Sequence, residues 1–205
     1  AGTYTSQTGT TAQPLLPVLR TPAQSTFFRY RTGTTPTLAD GERTRLAPQL
    51  YYYVGRFGLL SEYTTVSQDV SRTTTAGRRE DTLDTTAWQV QASWFLTGEE
   101  ESFRGFKPNN VFSLADHTWG AFELVARYQE LDPDDDAFVG GAASFADPAN
   151  AARKATAYGL GLNWYLNENL KWVLNYDRTS FDGGAAGDAD REDEAVFLTR
   201  FALGF

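Results

Sequence analysis

His117 is the single histidine of the chain. Any Ser-His-Asp chemistry would run through it, because the imidazole shuttles the proton between nucleophile and leaving group. Asp116 stands beside it, yet no G-x-S-x-G elbow or other nucleophile is spaced to meet the pair, so a loop histidine is the simpler reading and no catalysis is expected. Gly159 and Gly161 form a G-x-G inside a strand pattern, without the third glycine and the following helix of a dinucleotide site. They are expected to keep space open beside the strand. The run LDPDDD supplies Asp132, Asp134, Asp135 and Asp136, carboxylates close enough to hold a Ca²⁺ ion, although the spacing is not that of an EF-hand. A solvated acidic loop is the simpler reading, as it is for Asp188 to Glu194.

The remaining charges suit a field better than a reaction. Arg29, Arg31, Arg43, Arg45, Arg127, Lys171 and Arg200 alternate onto the polar side of extended segments, with Asn175, against Glu62, Glu123 and Asp177 on the same side. Guanidinium groups offer several fixed donors to an oxyanion, so such a lining lowers the barrier for anions. The competing reading is that the arginines pair with those three carboxylates and satisfy a crowded wall.

Strands must position these residues, because period-two alternation recurs along the chain and no segment reads as a helix. Between Thr85 and Thr97, Trp88, Val90, Ala92, Trp94 and Leu96 share one side, while Gln89, Gln91 and Ser93 share the other. Tyr158, Leu160, Leu162, Trp164 and Leu166 repeat the pattern, as do Phe122, Leu124 and Tyr128, then Trp172, Leu174 and Tyr176, then Phe197, Phe201, Leu203 and Phe205. With less regular segments at Ser25 to Thr32, Arg43 to Val54 and Phe57 to Thr65, eight strands are expected. The connections VGRF and LNENL are tight, whereas Val70 to Asp84, Asp132 to Arg153 and Asp182 to Asp193 are long and polar. Counting strands puts the tight turns at one end and those long loops at the other. Gly98 to Thr118, containing FRGFKPNN, is a long segment at the tight-turn end and is expected to fold as a plug-like or partner-facing loop.

With 205 residues, 41% of them hydrophobic and 14% aromatic, and a mean hydropathy of −0.42, the chain has no apolar run long enough for a transmembrane helix. Strands of about ten residues are long enough to cross a bilayer. Cysteine is absent, which removes disulfides and thiolate chemistry. A net charge of −8 and a pI near 4.7 disfavour nucleic acid as a partner. A soluble sandwich hides a core rich in Val, Ile and Leu. This chain lacks isoleucine and loads its apolar sides with Trp, Tyr, Phe and Leu, the aromatics near strand ends where interfacial girdles sit. The expected fold is an all-β, transmembrane, antiparallel up-and-down barrel forming one domain over residues 1–205. A soluble binding barrel is the alternative.

RTRLAPQLYYYVGRFGLLSEY, AWQVQASWFLTGEE, FKPNN, WGAFELVARYQELD, YGLGLNWYLNENLKWVLNYDRTSF and the terminal RFALGF resemble, in order, the phosphate-selective porin O and P family. The resemblance covers most of residues 20 to 205 and falls on that family's C-terminal half. It implies half of a sixteen-stranded, trimeric barrel in the outer membrane of a Gram-negative-type bacterium, with residues 1–23 a strand end and loop and the chain beginning inside the barrel. Implied partners are outer-membrane lipid and lipopolysaccharide, a homotrimer, small anions, and the assembly machinery that reads the final aromatic, Phe205. The acidic loop gains a second reading as a bridge to lipopolysaccharide cations. No cofactor is implied, and no phosphate-binding site is carried over, since the family's basic constriction depends largely on its other half and only three lysines are present here. An anchoring barrel that meets envelope partners through its loops is the rival role.

Overall fold

The computed structural model describes residues 1–204; Phe205 lies outside the described residues. Thirteen strands follow one another: β1 (Gly2–Thr8), β2 (Val18–Arg20), β3 (Thr26–Arg29), β4 (Thr37–Leu46), β5 (Gln49–Val54), β6 (Phe57–Thr74), β7 (Gly77–Phe95), β8 (Phe112–Ser113), β9 (Thr118–Trp119), β10 (Ala121–Asp132), β11 (Ala152–Tyr165), β12 (Leu170–Gly183) and β13 (Glu194–Leu203). Among the described residues the only helical pieces are 3-10 turns at Asp135–Ala137 and Gly141–Ala143.

The wall is one antiparallel sheet in the order β1-β4-β6-β7-β10-β11-β12-β13. β5 continues the line of β4 along β6, the two separated at Ala47 and Pro48. Proline lacks the N–H that a ladder needs, so the break falls where it stands. Among the described residues no ladder joins β1 to β13. The sheet is therefore open, and the barrel closure expected from the sequence is not present within this stretch.

The expected count of eight wall strands is met by a different set. Ser25 to Thr32 is not in the wall; β2 and β3 form a separate hairpin, and β1, a seven-residue strand, takes the vacant place beside β4. Phe27 and Phe28 give the reason. Successive residues of a strand point to opposite sides, and both rings are 1% exposed, so the hairpin must be apolar on each side. It lies against the inner face of the sheet in a cluster with Val70, Leu83, Phe138, Phe145 and Phe181.

Val70 to Asp84 is likewise no loop. β6 and β7 run on as strands of 18 and 19 residues, closed by a turn at Thr75 and Ala76. The segment is polar because it extends beyond the aromatic band rather than because it leaves the sheet, and its threonines and Val70 suit a pleated backbone. Asp132 to Arg153 and Asp182 to Asp193 do contain the long connections, and VGRF and LNENL are the tight ones.

Among the described residues, the outer face carries the aromatic rows read from the sequence. Phe122, Trp164, Trp172 and Phe201 lie side by side, with centroids 5.6, 6.0 and 5.1 Å apart. Trp88, Tyr128 and Tyr158 form a second row, at 4.9 and 5.0 Å. Between the rows lie Leu124, Leu162, Leu174, Leu160 and Phe197. Leu160, Phe197 and Phe201 are 61, 65 and 66% exposed, a contiguous apolar surface far larger than a water-facing sheet carries. From Tyr158 to Trp164 the strand advances about 20 Å at about 3.4 Å per residue, approaching the band of about 25 Å that girdles enclose in membrane barrels. Beyond Tyr158 the same side turns polar, at Thr156, Lys154, Asp132 and Asp182.

Candidate functional site: the inner face

Four levels of side chains line the inner face. Nearest the tight turns, Tyr165 Oη and Asn163 Nδ2 donate to the same Glu123 oxygen, at 2.7 and 2.8 Å. The segment between β7 and β10 folds back over them: Phe106 sits between Phe95 and Tyr165, at 4.3 and 4.6 Å. This is the plug-like course expected of FRGFKPNN. Glu101, from the same segment, accepts from the Ser93 hydroxyl. Burial, reinforced by the charge of Glu123, lifts its carboxyl above the ordinary range. Lys171 Nζ lies 5.3 Å from the Tyr165 ring centre, and Arg200 stands opposite Val173 on the inner side.

One level further in, Arg127 Nη2 meets Asp177 Oδ1 at 2.9 Å. The Asp177 side chain is 3% exposed. Gly159 faces it across the ladder, and a Cβ at Gly159 would lie 2.4 Å from Asp177 Oδ1; one at Gly161 would lie 2.3 Å from Asn175 Oδ1. The space over the two glycines, expected from the sequence to stay open, is therefore occupied. They give it up to the neighbouring strand's Asp177 and Asn175, because a short polar side chain can lie flat only over a residue without a Cβ.

The third level is a belt of Glu62, Gln89, Gln129, Ala157, Thr179 and Glu194, in register across the sheet. Gln89 Nε2 donates to Glu62 at 3.2 Å, and the Ser25 hydroxyl donates to Glu194. Arg43 and Arg45 project to the same side, paired in the ladder with Gln68 and Val66.

At the far end, Arg29 and Arg31 sit not on the wall but at the inner hairpin, where they line a cleft of about 440 Å³ with Arg72 and Asp147. Arg31 donates to Ser144 Oγ and lies 3.6 Å from Asp147. Of the three pairings weighed for the wall, only Arg127 with Asp177 forms; Glu62 and Glu123 take neutral donors instead.

Arg72 and Glu101 were not read as functional. Arg72 donates to Thr35 O, Ala142 O and Ser144 O at 2.9, 2.8 and 2.6 Å, tying the segment before β4 and the β10–β11 connection to the sheet. Continuing the period from Gln68 through Val70 would have placed it inside.

In the acidic loop, Asp132 is 3.4 Å from Lys154 Nζ. Asp134 caps the first 3-10 turn and accepts from Asp84 N at 2.7 Å. Asp135 and Asp136 fill that turn's first positions. Among the described residues no three metal-ligating side chains converge. His117 stands in the turn between β8 and β9, and the Ser113 hydroxyl there is bonded to Asp116.

A sheet with an aromatic outer face, a charged inner face and chain segments folded against its inside is built as a porin wall is. The chain belongs to the family described as phosphate-selective porin O and P, whose profile matches residues 23–205. It is 30% identical over 120 residues to Porin O of Pseudomonas aeruginosa, a stretch that is 58% of this chain and 26% of that protein. The matched length is thus about a quarter of that relative.

Proposed function

We propose that this chain is the C-terminal part of an outer-membrane porin that passes small hydrophilic, predominantly anionic solutes, phosphate-like ions among them, by passive diffusion. The observation that carries the reading is a basic excess on the inner face. Arg29, Arg43, Arg45, Lys171 and Arg200 lie there outside any ion pair among the described residues, against Glu62, Glu123 and Glu194, which take only neutral donors, in a chain that is acidic overall. An uncompensated cation beside a water-filled path lowers the barrier for anions and raises it for cations. The open edges at β1 and β13 call for further strands, and a sixteen-stranded barrel assembled as a trimer in the outer membrane supplies them. Glu62, Glu123, Arg127, Asn175 and Asp177 complete the lining, with Arg29 and Arg31 at the entrance.

The test is the reversal potential of the full-length protein in planar bilayers under a KCl gradient. Anion bias is expected, and Arg43→Glu with Arg45→Glu is expected to shift it toward cations. An anchoring role has its own support in the hairpin and the FRGFKPNN segment folded against the inner face, and absence of conductance would decide for it.

A further inference from the structure

Between the inner hairpin and the wall lies a cavity of about 250 Å³, lined by Arg20, Pro22 and Phe27 from the hairpin side and by Glu62, Gln89, Gln129 and the alanines of β7 and β11 from the wall. We propose that it is a binding site for a small zwitterion, an ammonium carboxylate with a short apolar body.

The two charges carry the assignment. Glu62 accepts only from neutral groups, Gln89 Nε2 at 3.2 Å and Thr64 Oγ1 at 3.5 Å, and is in no ion pair among the described residues. Glu130, which follows Gln129 along β10, turns its carboxylate to the outer face, where Lys154 Nζ takes it at 3.4 Å. Arg20 donates to the backbone oxygen of Gln24 at 3.2 Å and likewise has no ionic partner among the described residues. The cavity thus has an uncompensated anion on its wall and an uncompensated cation on its lid, with apolar surface from Phe27, Ala87, Ala155 and Ala157 between them. A lone anion would gain from Arg20 but meet Glu62, and a lone cation the reverse. Only a solute carrying both charges satisfies both ends, and the apolar middle suits a short alkyl body. The volume lies below the roughly 300–1,000 Å³ of pockets for drug-sized ligands, which fits a molecule of amino-acid size. This goes beyond charge-biased diffusion, since a field selects by sign whereas this arrangement selects by the separation of two signs.

Isothermal titration of the full-length detergent-solubilised protein tests it, independently of any conduction, with 5-aminopentanoate, pentanoate and pentylamine as probes. The ω-amino acid, whose charges stand at the two ends of its alkyl chain, is expected to bind saturably and more tightly than either half-ligand. Glu62→Gln is expected to weaken 5-aminopentanoate and pentylamine about tenfold, the scale of one hydrogen bond to a charged group, and to leave pentanoate unweakened. Arg20→Gln, at an exposed position that threatens no packing, is expected to weaken 5-aminopentanoate and pentanoate instead. No saturable heat with 5-aminopentanoate, or its binding unchanged in both variants, would overturn the proposal.

Discussion

The ion pair of Arg127 and Asp177 sets the most sensitive point of the inner face. The Asp177 side chain is almost fully buried, and its second oxygen has no hydrogen-bond partner. Removing Arg127 would leave a buried charge unpaired, a loss of about 3–5 kcal/mol in comparable cases. Arg127→Ala is therefore expected to lower stability in urea titrations by that order, and Arg127→Ala with Asp177→Ala by less than Arg127→Ala alone. At Glu101 the direction of the pKa shift yields a pH dependence. A carboxyl raised in the folded state binds its proton more tightly there than in the unfolded chain, so it adds stability as pH falls through the raised value and loses it as pH rises. Protection factors of amide exchange across residues 96–120, which take out the intrinsic pH dependence of the exchange itself, are expected to rise on acidification, and Glu101→Gln to abolish most of the change.

The strands hold these groups through register, and register can be tested from the outside. Leu162 pairs with Leu124 and Leu174 in the apolar band, so Leu162→Arg is expected to cost about 2–4 kcal/mol of folding stability in lipid. Tolerance of arginine there would mean the faces are assigned the wrong way round. Gly159→Ala should displace Asp177 and reduce stability by about 1–3 kcal/mol, the range for overfilled packing; urea titration beside Arg127→Ala reads it. Strands from Phe57 onward were legible because lipid and lumen impose opposite demands on alternate residues. Where lipid ends, the outer face no longer needs to be apolar, and Val70 to Asp84 reads as a loop although its backbone stays in the sheet. Ser25 to Thr32 misled for the opposite reason: two adjacent phenylalanines are compatible with any strand, and only their joint burial places this one inside. The role of Gly159 was invisible for a third reason, since what it makes room for comes from a residue 18 positions away in β12.

Across the whole molecule, both ends of the wall have chain folded against the inner face, the β2–β3 hairpin at one and the FRGFKPNN segment at the other. Conductance of the full-length protein should therefore be set by these segments rather than by strand number. Replacing residues 18–29 with a short glycine-serine link is expected to raise single-channel conductance severalfold in planar bilayers, and an unchanged value would place the constriction elsewhere. Family membership and the sidedness of the wall could be read from the sequence, because both rest on local pattern. The inner hairpin, the cavity beneath it and the ties made by Arg72 could not, because each joins residues far apart in the chain.

All five tryptophans lie on the outer side: Trp88, Trp164 and Trp172 in its aromatic rows, Trp94 between the rows beside Leu124, and Trp119 in the aromatic cluster that continues them at β9. The intrinsic fluorescence of this chain is thus a one-sided reporter. Brominated acyl chains should quench it in proportion to depth, strongly for Trp94 and weakly for the girdle residues, whereas iodide or acrylamide confined to the lumen should leave it almost untouched.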